Sequence, residues 1–213
     1  MSGRRFDAIL FDLLTALLDS RRLWNKVAGN AEDGLKWRAA YLQRTYQTGA
    51  SRAYEALVAK AAAEVGLSPT LATQLAARYG ELNPWPEVIE VLGALTRAGL
   101  ALAVVTNCSE ALGAKAVACT GIVFDSVVTA ERAGYYKPHP RPYQMAIHEL
   151  GVPINRCLFV AGSAYDLFGT SKVGLTTYWH DRAGIIPPSG APQPMARHRS
   201  LQPLLELVGR HSH

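Results

Sequence analysis

At 213 residues, with 49% hydrophobic and 18% charged side chains, the chain is long enough for one sizeable domain with a small insertion, and its composition excludes a disordered tail or a low-complexity linker. The formal net charge of +5 is spread thinly, with no run of five basic residues, so it reads as a solvated basic surface from which a small carboxylate substrate gains weakly, and it offers no nucleic-acid arm. The three cysteines, Cys108, Cys119 and Cys157, have neither the even count of a disulfide framework nor the spacing of a zinc site, and they fit a reducing cytoplasm.

Residues 7–13 (DAILFDL) read as a buried strand with Asp12 near its carboxyl end. Asp7 and Asp12 interrupt the apolar run, so a cleaved leader is not expected. Residues 20–84 follow as helices over 21–28, 31–48, 52–65 and 69–79, with Ser68-Pro69 as cap and first turn of the last. The PWP at 84–86 marks the return to a sheet. Beyond it, helix 87–98 closes at Gly99 and strand 101–106 ends at Thr106-Asn107. Helix 109–118 follows with Ser109 as its cap, then a strand near 124–129 and helix 141–150. Strand 157–161, helix 164–173 and strand 176–179 complete the alternation. The Pro- and Gly-rich tail, 183–199, reads as irregular surface chain, and His211 and His213 as tail residues. No apolar run reaches the length of a membrane span.

Near-continuous apolar strands alternating with helices predict a doubly wound, mostly parallel α/β sheet, Rossmann-like in organisation. In such sheets ligands bind outside the carboxyl ends of the strands. Those ends carry Asp12, then Thr106 and Asn107, then Ser163 with Asp166 beyond, and Lys137 lies in YYKPHPRPY before a helix. Each alone has an ordinary reading as a cap or a solvated side chain. Together, at successive strand ends, they point to one site.

FDLLTALLDS, VVTNCSE, YYKP and FVAGSAYDLFGTSKVGL resemble, in order, the four motifs of the haloacid dehalogenase superfamily, from Phe6 to about Arg182. The resemblance implies that residues 1–19 and 85–213 form the core domain and 20–84 a helical cap domain. It also implies that Asp12 is a nucleophile. Two departures bear on the activity. The superfamily's phosphatases carry a general acid and base where this chain has Leu14, and a metal-holding Asp where it has Gly162. A phosphate ester needs the proton and the metal; halide departure needs neither. The 2-haloacid dehalogenase branch lacks both carboxylates too, and the YWHDR after the last strand and Tyr143 six residues after Lys137 resemble that branch.

By that resemblance Asp12 displaces halide from C2, Lys137 keeps Asp12 ionised and in place, and Tyr143 orients Lys137. Thr106, Asn107 and backbone amides near Leu13 hold the substrate carboxylate, and Asp166 with Ser163 positions the hydrolytic water. No metal and no cofactor is expected. Ala16, Ser163 and Ala161 stand where the branch has Thr, Asn and Ser, and its cap arginine aligns to Thr48, with Arg44 one helical turn earlier as the substitute. Of Trp24, Trp37, Tyr41 and Tyr46, most are expected in the core and one or two as walls of a pocket over Asp12. Cys108, beside the second motif, reads as core, and His180 as a residue of the site's rim. Two other readings stay open: a phosphatase-like hydrolase with an altered substrate, and a non-catalytic binding protein of the same fold. The expected partner is a small anionic molecule, with no nucleic acid and no membrane, and a homodimer is left open.

Overall fold

The computed structural model describes residues 4–50, 52–182, 184 and 186–209; His211 and His213 lie outside them. Among the described residues six strands form one sheet: β1 (Ala8–Phe11), β2 (Ala101–Thr106), β3 (Ser126–Thr129), β4 (Cys157–Ala161), β5 (Thr176–His180) and β6 (Ala196–His198). Their order is β3-β2-β1-β4-β5-β6 and every pairing is parallel. The predicted doubly wound α/β class is therefore what the chain adopts.

β1 is central, and its four residues are fully buried on both faces. Ile9 and Phe11 face one hydrophobic cluster and Ala8 and Leu10 the other, as the two-residue period of a strand requires. The chain winds outward from β1 first through β2 and β3, then through β4 to β6. That reversal opens a crevice at the carboxyl ends of β1, β2 and β4.

Residues 20–81 carry α1 (Ser20–Ala28), α2 (Ala31–Thr48), α3 (Tyr54–Glu64), α4 (Leu71–Ala77) and one turn of 3-10 helix, with no sheet strand among the described residues. The side chains of Asp19 and Asn30 cap α1 and α2, and Gly29 ends α1 in the left-handed region at φ 90°. The predicted start at Pro69 is two residues early. Ser68 and Pro69 form a tighter opening turn, with Leu71 N–H on the Ser68 carbonyl, before regular helix begins. A contiguous aromatic core runs from Trp24 over Trp37 and Tyr41 to Tyr54. The two crossings into and out of this segment are tied together, with Asp19 N–H on the Asn83 carbonyl at 2.8 Å and Trp85 N–H on the Leu17 carbonyl at 3.0 Å.

After β2 the remaining helices are α6 (Glu110–Ala118), α7 (Ala130–Ala133), α8 (Pro140–Leu150), α9 (Tyr165–Val173) and α10 (Gln202–Gly209); α5 (Val88–Arg97) precedes it. Ser109 occupies the N-cap position of α6, but its hydroxyl donates to Glu55 of α3 rather than capping the helix. The tail is not wholly irregular. Its Ala196–His198 is the edge strand β6, and α10 follows. Arg197 on β6 stacks over Trp179 at 4.1 Å and pairs with Asp181, which anchors this short polar edge. No described helix is long and apolar enough to cross a membrane.

Candidate active site

Asp12 leaves β1 at its carboxyl end, where the backbone turns sharply. Its Oδ2 accepts hydrogen bonds from the Thr15 and Ala16 amides at 3.1 and 3.2 Å. Lys137 Nζ lies 2.8 Å from Asp12 Oδ1 and 2.9 Å from Asp166 Oδ1, so a buried ammonium bridges two buried carboxylates. Burial works against the ammonium, yet the two carboxylates outweigh it and hold Lys137 at about 12. Burial pushes Asp166 up to about 6, against the pull of Lys137 and with the repulsion of Asp12.

Four of the sequence-predicted residues meet here as expected: Asp12, Lys137, Asp166 and Ser163 all line one cavity. Asn107 lines it too, but its side chain grips the backbone of Lys137, accepting from its N–H at 2.7 Å and donating to its carbonyl at 3.2 Å. Asn107 therefore fixes where the lysine emerges.

The other predicted contacts lie elsewhere. Tyr143 does not touch Lys137 through its hydroxyl; it donates to Asp166 Oδ1 at 3.2 Å, so it acts on the lysine through that carboxylate. Gly169 makes this contact feasible, since a Cβ there would lie 2.6 Å from the Tyr143 hydroxyl. Thr106 turns its hydroxyl to Cys108 at 3.4 Å and does not line the cavity. Leu13 is wholly buried, and Leu14 and Thr15 are the residues of that turn that line the cavity. Arg44 is drawn away into an ion pair with Glu64 of α3. Thr48, one turn on, returns its hydroxyl to the Arg44 carbonyl.

The arginine of the cavity is Arg38, which sequence reasoning missed. It is 6% exposed, and its Nη2 donates to Thr15 Oγ1 at 2.7 Å. Burial pulls its pKa down and the charge of Asp12 opposes that. A signal was present: Arg38, Tyr41, Leu42 and Thr45 fall at i, i+3, i+4 and i+7, and all four line the cavity. Trp24, Tyr41 and Tyr46 wall it, whereas Trp37 belongs to the core and donates to the Val58 carbonyl. Cys108 is buried, and burial pushes its thiol up to about 12, which removes it as a nucleophile. His180 is not on the rim but wholly buried.

The cavity is small, about 50 Å³. Where one water needs roughly 10–15 Å³ by the same measure, it holds about three to five waters, the bulk of a short acid. Its charges balance, with Lys137 and Arg38 against Asp12 and Asp166. A monoanion is tolerable there, and a phosphate dianion much less so.

These residues do not fit a divalent metal. A Cβ at Gly162 would come within 2.3 Å of the Ala16 nitrogen and 2.6 Å of the Thr15 carbonyl carbon, so no carboxylate can be carried there without moving the Asp12 turn. The Lys137 ammonium already lies between the two remaining carboxylates.

A family model described as haloacid dehalogenase-like hydrolase matches residues 6–174. The chain is 35% identical over 119 residues to (S)-2-haloacid dehalogenase 4A of Burkholderia cepacia, covering 55% of this chain and 52% of that protein. It is 31% identical over 115 residues to haloacetate dehalogenase H-2 of Moraxella sp. (strain B), covering 53% and 51%. The chain thus spans about half the length of these curated relatives. The crystal structure of a dehalogenase with an intermediate complex superposes with a TM-score of 0.83 at 27% identity, covering 98% of this chain and 99% of that one.

Proposed function

The chain belongs to the haloacid dehalogenase-like hydrolases, and from that premise we propose that it cleaves the carbon–halogen bond of short 2-haloalkanoates through an ester on Asp12. The observation that carries this reading is the Lys137 ammonium bridging Asp12 and Asp166 beneath a small cavity that also holds Arg38. The names of the curated relatives, haloacid and haloacetate dehalogenases, support it.

In this reading residues 20–84 are a cap domain over a core of 1–19 and 85–213. Arg38 supplies the positive charge that the substrate carboxylate and departing halide require. Asp12 Oδ1 attacks C2 and halide leaves without a proton. Asp166 then takes a proton from water as it adds to the ester carbon. Ser163 lies beside Asp166 and helps hold that water. The partner is a small organic anion, with no nucleic acid and no membrane. The three free cysteines suit a cytoplasmic setting.

Asp166 must be ionised to accept that proton. Since burial pushes it up to about 6, turnover at saturating substrate should be level above roughly pH 7 and fall as pH drops through about 6. A kcat profile that stays flat down to roughly pH 4 would remove Asp166 from this role.

The functional reading is tested by halide release from 2-chloropropionate, 2-bromopropionate and fluoroacetate, with EDTA present, beside p-nitrophenyl phosphate. Halide release indifferent to EDTA, with negligible phosphate release, is expected. Activity that EDTA abolishes and Mg²⁺ restores, or phosphate release alone, contradicts it and favours the phosphatase-like alternative.

A further inference from the structure

The turn that holds Asp12 is itself braced from behind. The Ala16 N–H on Asp12 Oδ2 belongs to the same peptide unit as the Thr15 carbonyl. That carbonyl accepts a hydrogen bond from Trp85 Nε1 at 3.0 Å. The next carbonyl, of Ala16, lies 2.8 Å from His180 Nδ1. A carbonyl oxygen can only accept, so Nδ1 carries a hydrogen. Burial lowers the pKa of His180, in keeping with a neutral ring. The charged groups about it are Glu87, whose Oε1 is 3.7 Å from Nε2, and Arg182, which pairs with Glu87 at 3.2 Å. Glu87 also accepts from the Leu201 N–H at the start of the C-terminal helix segment. Trp85 comes from the segment returning to the sheet and His180 from the end of β5, so two separate elements converge on one turn.

We propose that Trp85 and His180 are positioning residues for hydrolysis of the Asp12 ester, an inference that rests on the dehalogenase reading above. Linked N–H···O=C units polarise one another, so the Trp85 contact strengthens the Ala16 N–H as a donor as well as aiming it. The two halves of the reaction use that donor differently. When Oδ1 attacks C2, negative charge leaves Asp12 for the halide, and donors on Oδ2 give no advantage. When water adds to Cγ, its proton passes to Asp166 and charge collects on Oδ2. There the Thr15 and Ala16 amides stabilise the tetrahedral intermediate. The Cγ–Oδ1 bond then breaks, the departing alkoxide takes the proton from Asp166, a 2-hydroxyalkanoate leaves, and the water's second proton passes from the regenerated Asp12 carboxyl to solvent. Ala16 has no hydroxyl with which to secure the turn from within, and the tryptophan and histidine secure it from outside.

The test is rapid-quench halide release by the full chain with excess 2-chloropropionate, alongside its intact mass. Trp85→Phe removes one N–H and keeps a buried ring; His180→Leu removes the other donor. In each, the first equivalent of halide should form within about threefold of the wild-type rate, while steady-state turnover falls roughly tenfold, a fraction of what losing an oxyanion donor outright costs. An ester adduct should accumulate on the protein. His180→Asn places an amide donor near the Nδ1 position and should recover most of the loss. If both phases slow together and no adduct accumulates in whichever variant keeps the wild-type circular dichroism, the residues merely support the fold and the inference is overturned. A wild-type protein that releases no halide at all defeats the dehalogenase reading itself, before any variant is compared.

Discussion

Asp12→Asn should release halide from 2-chloropropionate at least about a thousandfold more slowly than the wild type, since the nucleophile is removed and no other group replaces it. The cavity offers no alternative. Its remaining carboxylate, Asp166, is held by Lys137 Nζ at 2.9 Å and the Tyr143 hydroxyl at 3.2 Å, and Cys108 is a buried thiol pushed up to about 12. The side-chain amide introduced by the substitution can still accept from the Thr15 and Ala16 N–H groups, so the turn should persist, but the buried Lys137 ammonium loses one of its two carboxylate partners and the thermal midpoint should fall. Stopped assays of halide release, with a melting curve beside them, check both points. Wild-type halide release by the variant would unseat Asp12 as the attacking group.

Lys137→Met should be nearly as damaging and should act on stability as well. The ammonium lies between two carboxylates with 6% of its side chain exposed. Removing one partner of a buried pair leaves uncompensated charge, at a cost of about 3–5 kcal/mol. Turnover should fall at least a hundredfold or so, because the attacking carboxylate loses the partner that aims it. The sign of the accompanying pH effect follows from Asp166. Lys137 is the main influence pulling its pKa down, so without the lysine Asp166 rises further above about 6. The acid limb of the residual activity should therefore move to higher pH. Urea titration and a pH profile measure the two effects. An unchanged urea midpoint with an unshifted limb would mean that the bridge contributes little.

The fold was legible in the sequence wherever burial on both faces made strands uniformly apolar, as in AILF of β1 and CLFVA of β4. It was not legible at β6, whose Ala-Arg-His is an exposed edge held by the sheet beside it rather than by its own pattern. In the site, strand-end position alone found Asp12, Ser163 and Asp166, and the YYKP segment found Lys137. Side-chain direction was harder to read. Thr106 and Leu13 lie at the right strand ends but turn into the core, and Asn107 spends its amide on backbone. Arg38 and Arg44 are separated by about two-thirds of a helical turn beyond one full turn, which is enough to put Arg44 on α3's carboxylate and Arg38 in the cavity. The clearer clue was Arg38 standing among aromatic and apolar residues on the buried face of α2.

The covalent ester is the central claim, and a single turnover in ¹⁸O-water with enzyme in excess tests it most directly. Asp12 Oδ1 should become the product's 2-hydroxyl oxygen while water adds to Cγ. The first 2-hydroxypropionate should therefore be largely unlabelled, with label appearing in the Asp12 carboxylate of the recovered protein. Fully labelled product in that first turnover, with none in the protein, would mean that water attacks C2 directly and that Asp12 never forms the ester.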